Sequence, residues 1–154
     1  MGATDERLAE LGIELPPPFA PVGNYVPAVV TAGALVFVSG HGPTANGNVL
    51  FRGKVRSTVS VADAYQAARL CALNCLSTLD AELGSLDRVD RIVKLLGMVN
   101  ADPDFTEHPA VVNGASDLLV EVLGDRGRHA RSAVGMGSLP MDITVEIELV
   151  AAVS

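Results

Sequence analysis

His129-Ala130-Arg131-Ser132-Ala133-Val134-Gly135, then Leu139-Pro140 and Asp142-Ile143-Thr144-Val145-Glu146-Ile147-Glu148, is the stretch whose reading decides the fold. It reads as two neighbouring strands joined by a short turn, with a cation on the first and carboxylates on the second. From Asp142 to Val150, the residues Ile143, Val145, Ile147 and Leu149 alternate with Thr144, Glu146 and Glu148. A period of two places the four apolar side chains on one face and both glutamates on the other. Burying one face fixes the register, because a one-residue slip would carry the glutamates into the core. A guanidinium beside a carboxylate makes either a pocket for a small anion or an ordinary solvated ion pair, and spacing alone favours the ion pair.

Working outward, 154 residues fit one domain with a real core. Hydrophobic residues make up 49% of the chain, yet no run approaches the roughly 18 apolar residues of a membrane span. The charged start Thr4-Asp5-Glu6-Arg7 has no apolar segment behind it, so no signal peptide is expected and a cytoplasmic location follows. A net charge of −7 argues against a phosphate-backbone binder. Arg126, Arg128, His129 and Arg131 form the densest basic cluster, too short for a groove-tracking stripe. High apolar content with few aromatics points to surface buried by self-association. Cys71 and Cys75 stand four apart in a helical stretch and read as buried, reduced thiols. His41, His108 and His129 are dispersed, so no zinc spacing is present and no metal is expected.

The remaining elements follow from caps and periodicity. Thr4 to Leu11 predicts a short helix capped by Thr4, and Pro16-Pro17-Pro18 stiffens the connector after it. Residues 1–17 therefore form a helical extension and residues 18–154 the main domain. Tyr25 to Thr31 and Leu35 to Ser39 read as a hairpin, and Asn46-Gly47 turns the chain into a brief strand near Val49 to Arg52. Val61, Tyr65, Ala68, Ala72, Cys75, Leu79 and Leu83 recur at gaps of three or four, which predicts a long helix from Ser60 as N-cap to Gly84. Val89 to Val99 reads as a strand, apolar on both faces in its second half. Pro109 suits the first turn of a second helix that ends at Leu123-Gly124. Two helices against one mixed sheet make an α+β two-layer domain.

Several motifs then stand in a recognisable order: Pro21-Val22-Gly23-Asn24-Tyr25, Phe37-Val38-Ser39-Gly40-His41-Gly42-Pro43, Gly84-Ser85-Leu86-Asp87-Arg88-Val89, Asp104-Phe105 with Asn113, and Arg131-Ser132 through Leu139-Pro140 to Glu148. The ordered set resembles the RidA family, also called YjgF or L-PSP endoribonuclease-like, from about Pro18 to Val150. That resemblance implies a chorismate-mutase-like α+β fold assembled as a homotrimer with clefts between subunits. It also implies hydrolysis of reactive enamines and imines, such as 2-aminoacrylate, to 2-keto acids and ammonia, without metal or organic cofactor. By position, Arg131 matches the arginine that grips the substrate carboxylate, Glu146 the glutamate that handles water, and Tyr25 a tyrosine near the pocket. Ser39, Gly40, His41 and Asn113 fall on pocket-lining positions.

The residue types suit that chemistry. A planar fork of donors holds a carboxylate better than a lysine would, and fixing it orients the adjacent C=N carbon. A carboxylate near neutral pH can order water or accept its proton. Plainer roles compete: Arg131 as a cross-strand partner of Glu146 or Glu148, Tyr25 as a hairpin aromatic, Ser39-Gly40 as a sharp backbone turn, and His41 as a water-exposed loop residue. The chain also departs from the family pattern. Ala133 replaces a small polar or Cys residue, Gly135 a common glutamate and Asn24 the usual proline, while His41 stands where Gln is common. The segment from Phe105 to Asn113 is longer and carries His108 and Pro109. These changes are expected to reshape the cleft. Three functions follow: an enamine/imine deaminase, a non-catalytic trimeric small-carboxylate-binding or regulatory protein using the same pocket, and a ribonuclease. The acidic balance makes the last the weakest.

Overall fold

The computed structural model describes residues 2–154; Met1, the first residue of the expected extension, lies outside them. In chain order the elements are helix α1 (Ala3–Glu10), strands β1 (Ala28–Val30), β2 (Leu35–His41), β3 (Thr44–Ala45) and β4 (Asn48–Val49), helix α2 (Val61–Leu83), strand β5 (Val89–Asn100), helix α3 (His108–Leu123), and strands β6 (Ala130–Met136) and β7 (Val145–Val153). The main sheet runs β1-β2-β7-β5-β6, and β3-β4 form a small hairpin apart from it. β5 and β6 are parallel, while the other neighbours are antiparallel. With α2 and α3 against one face, this is the expected mixed-sheet α+β fold.

One expectation fails at the tail. β6 and β7 are not neighbours, because β5 lies between them. β5 carries apolar side chains on both faces and gains ladder partners on both edges, which suits the inner position. The connection after β6 therefore has to cross the end of β5. Asn100 at that end holds it, donating from Nδ2 to Asp142 Oδ1 (3.0 Å) and to the Ile143 carbonyl (3.2 Å). Within β7 the alternation reads as expected. Val145, Ile147 and Leu149 are buried, as is Ile143 just before the strand, while Glu146 and Glu148 occupy the other face.

The helices owe their limits to local chemistry. Ser60 Oγ accepts from the Asp63 amide (3.0 Å) and caps α2, which ends at Gly84 in the left-handed region at φ 76°. α2 turns a face of Ala64, Ala67, Ala68 and Ala72 inward, and α3 crosses it so closely that a Cβ on Gly114 would stand 2.0 Å from the Tyr65 carbonyl oxygen. Pro109 sits in the first turn of α3. Cys71 and Cys75 are buried and free, each thiol lying against a β7 carbonyl, as expected of small hydrophobes.

Smaller corrections concern the first third of the chain. Gly2, not Thr4, stands at the cap of α1; Thr4 lies inside the first turn, buried, with its hydroxyl shared between Asp87 and Arg126. β1 is shorter than Tyr25 to Thr31, and Tyr25 lies outside it; the preceding Pro27 lacks the N–H a ladder needs. The strand expected near Val49 to Arg52 is Asn48–Val49, and Arg52 instead makes a lone bridge with Ile143. Among the described residues, no helix is long and apolar enough to cross a membrane.

Candidate functional site

β6 is the edge strand and runs parallel to β5, with Arg131 opposite Leu95 and Gly135 opposite Val99. Leu95 and Val99 are buried beneath the helices, so Arg131, Ala133 and Gly135 project on the helix side of the sheet. There Arg131 Nη1 donates to Asn113 Oδ1 (2.9 Å) and to Ser116 Oγ (3.1 Å), both on α3. Asn113 and Ser116 are three apart and share a helix face. The chain of bonds continues to His129, whose Nε2 lies 2.9 Å from Ser116 Oγ and whose Nδ1 lies 2.6 Å from the Gly127 carbonyl. That carbonyl takes the Nδ1 proton, so Nε2 accepts from the Ser116 hydroxyl, and Ser116 Oγ accepts from Arg131. Burial lowers the His129 pKa, and the Arg131 charge pushes the same way. The imidazole is thus kept neutral beside the guanidinium.

Among the described residues, Arg131 has no carboxylate within salt-bridge distance. The expected pairing with Glu146 or Glu148 is absent, for a geometric reason. Glu146 stands opposite Met98 and Glu148 opposite Leu96, on the sheet face away from the helices, with β5 between them and β6. Arg131 and Glu146 of one chain cannot meet.

Glu146 belongs to a second cluster. Between Val38 and His41 the β2–β7 ladder shifts register, so Ser39 and Gly40 together face Glu148. A Cβ on Gly40 would lie 2.0 Å from Glu146 Oε1, so glycine there makes room for the carboxylate. Burial first, and the neighbouring Glu148 second, raise the Glu146 pKa. Ser39 spends its hydroxyl on the Val26 carbonyl (2.7 Å). The bulge also turns His41 to the helix side. Expected at the surface, His41 is 3% exposed, with Nδ1 2.6 Å from the Ser39 carbonyl and Nε2 2.8 Å from Thr78 Oγ1 on α2. Phe19 packs edge-on against its ring at 5.7 Å. Burial lowers the His41 pKa. His41 is therefore buried within its own chain, where it braces the bulge.

The expected residues thus fall into two groups within one chain: Arg131 with Asn113 on the helix side, and Glu146 with Ser39 and Gly40 on the other. Tyr25 joins neither; it is exposed, and among the described residues its hydroxyl has no partner. Ser116 and His129 were not among the expected site residues. Their signal was present, since Ser116 follows Asn113 by three on a helix and His129 precedes Arg131 by two, just before β6 begins. Among the described residues, no three His, Cys, Asp or Glu side chains converge as a metal would require.

Fold and site together define a mixed-sheet α+β domain with an edge-strand arginine held ready by neutral partners. The chain belongs to the YjgF/chorismate-mutase-like family, whose model, described as "putative endoribonuclease", matches residues 5–153. It is 44% identical over 148 residues to Protein TCP17 of Trypanosoma cruzi, covering 96% of this chain and 92% of that protein. The crystal structure of Atu1372 from Agrobacterium tumefaciens, a protein of unknown function, superposes with a TM-score of 0.91 at 44% identity, covering 98% of this chain and 92% of that one. A "putative endoribonuclease" from Shewanella oneidensis superposes with a TM-score of 0.94 at 34% identity, covering 99% and 100%.

Proposed function

We propose that this protein hydrolyses reactive enamines and imines of the 2-aminoacrylate type to 2-keto acids and ammonia, with Arg131 holding the substrate carboxylate. The observation that carries this reading is an oriented guanidinium without an acidic partner. Its Nη1 is committed to Asn113 and Ser116, while Nε and Nη2 have no partner among the described residues and remain for a bidentate grip on a planar anion. Holding the carboxylate fixes the neighbouring C=N carbon for attack. An enamine first takes a proton on its β-carbon to become the imine; water then adds to the C=N carbon while the nitrogen takes a proton, and the resulting carbinolamine releases ammonia as its C=O forms.

Glu146 is the group proposed to take the proton from the attacking water. Its raised pKa brings it nearer to neutral pH, where a carboxylate serves better as a base. Because Arg131 and Glu146 lie on opposite faces of one sheet, a site that uses both takes them from different copies of the chain. A homotrimer with inter-subunit clefts meets that need, and the sheet face away from the helices is suited to burial in it. Phe37, Val29 and Val134 are exposed on that side, with Leu96 and Met98 half-buried beside them. Tyr25, exposed and with no hydrogen-bond partner for its hydroxyl among the described residues, is proposed to reach a neighbouring copy's cleft.

The test is an imine generated in place by an amino-acid oxidase, with 2-keto acid release followed in time. The full-length protein is expected to accelerate release, and Arg131→Ala to abolish the acceleration while its sedimentation is unchanged. Undiminished acceleration by that variant would remove Arg131 from the mechanism. Binding of 2-ketobutyrate with no turnover of any imine would make the protein a carboxylate-binding module instead.

A further inference from the structure

Further along β6 from Arg131, the same edge borders a second cleft. It has a volume of about 390 Å³ and is lined by Lys54, the loop after β5, His108 at the start of α3, and Gly135 to Gly137. Gly135 is four residues from Arg131, roughly 13 Å at the rise of a strand, so the two sites are distinct. Three side chains in this cleft have unused capacity. Lys54 Nζ donates to Asn100 Oδ1 and to the Gly137 carbonyl, both at 2.8 Å, which fixes the ammonium and leaves its third N–H. Asn100 is itself buried and tied to Asp142 and Ile143, so this support is rigid. Among the described residues, no carboxylate lies within salt-bridge distance of Lys54.

His108 supplies the second group. A Cβ on Gly135 would stand 2.5 Å from His108 Nε2, so the imidazole fills the space that glycine leaves open. Phe105 packs edge-on against it with centroids 5.1 Å apart, and neither ring nitrogen has a hydrogen-bond partner among the described residues. Asp102 is the third. One of its oxygens accepts from Ser57 Oγ (3.0 Å), and it has no cationic partner among the described residues. The cleft wall thus holds an ammonium, an imidazole and a carboxylate, none paired with another. A simple anion would satisfy Lys54 and be repelled by Asp102. A carboxylate with a hydrogen-bond donor on its neighbouring carbon satisfies both.

We propose that this cleft is a second binding site for a small 2-hydroxy- or 2-amino-carboxylate, its carboxylate on Lys54 and His108 and its donor on Asp102. The test is an NMR titration of the full chain with glycolate, glycine and acetate, following the Gly135 and Gly137 amides. Saturable shifts are expected with glycolate or glycine, and the stronger of the two tells hydroxy from amino acids. Acetate should bind about tenfold more weakly, the loss of roughly one charge-assisted hydrogen bond. Lys54→Met should weaken glycolate by about tenfold or more. Asp102→Asn, which leaves the Lys54 support intact, should abolish the preference over acetate, and Arg131→Ala should change nothing. Absence of saturation, or equal affinity in a folded Lys54→Met variant, overturns the proposal. Loss of binding in Arg131→Ala with Lys54→Met unaffected also overturns it, while leaving the Arg131 mechanism standing. Failure of imine hydrolysis leaves this site untouched.

Discussion

Arg131 is steered by neutral partners, and that decides how the site responds to substitution. Lysine at 131 keeps the charge but loses the planar fork, so Arg131→Lys is expected to lower imine hydrolysis by about tenfold or more, read in the oxidase-coupled assay. The titratable groups around the two clusters give opposite signs with pH. His41 has a folded pKa below its ordinary 6.5, so its contribution to stability is full above that value and is lost as pH falls through it toward the folded pKa. His41→Gln, which carries no proton, is expected to melt with a flatter pH profile than the native chain between about pH 7 and 5. Glu146 is raised above its ordinary 4.5, so it favours the folded state at acid pH and opposes it as pH rises through the folded pKa. Glu146→Gln should therefore melt above the native chain at pH 7 to 8 and match it near about pH 4, seen by calorimetric melting curves. A constant offset across that range would mean that Glu146 is not perturbed by its burial.

Among the elements, the helices were legible in the sequence and the order of the tail strands was not. α2 declares itself by local chemistry, with a serine cap, an apolar stripe at helical spacing and a glycine in the left-handed region. Ser60→Ala is expected to lower stability by about 1 kcal/mol, the usual worth of an N-cap, in denaturant unfolding. Its crossing with α3 was invisible beforehand, because a close backbone approach leaves no mark on periodicity. Gly114→Ala must push a methyl group into the Tyr65 carbonyl, and we expect a loss of about 3 kcal/mol in the same experiment. The alternation in β7 is legible in the sequence, since burial on one face is a local property. That β5 separates β6 from β7 depends on long-range pairing, and spacing alone made neighbours of strands that are consecutive in the chain. The burial of His41 has a related cause. A two-residue bulge at Ser39 and Gly40 reverses the side on which the next residue points, and nothing in the alternation announces it.

At the scale of the whole molecule, the sheet has one face sealed by α2 and α3 and, among the described residues, no helix on the other. Phe37 is 48% exposed there. Phe37→Glu places a charge on the surface proposed to be shared, and sedimentation should show the assembly dissociating toward single chains. An unchanged assembly would move the interface elsewhere. The family motifs named Arg131, Asn113, Glu146 and Gly40 as site residues, but no reading of one sequence separates residues of one chain from residues shared between copies. The separation follows from geometry, because opposite faces of one sheet cannot converge on one small substrate. The most direct measurement is a crystal structure of the full chain with 2-ketobutyrate bound. The account predicts the ligand carboxylate on the Arg131 guanidinium, beside Asn113, with Glu146 of another copy facing the keto carbon. A ligand bound away from Arg131, or a bound Arg131 with no second copy's Glu146 near the keto carbon, would contradict it.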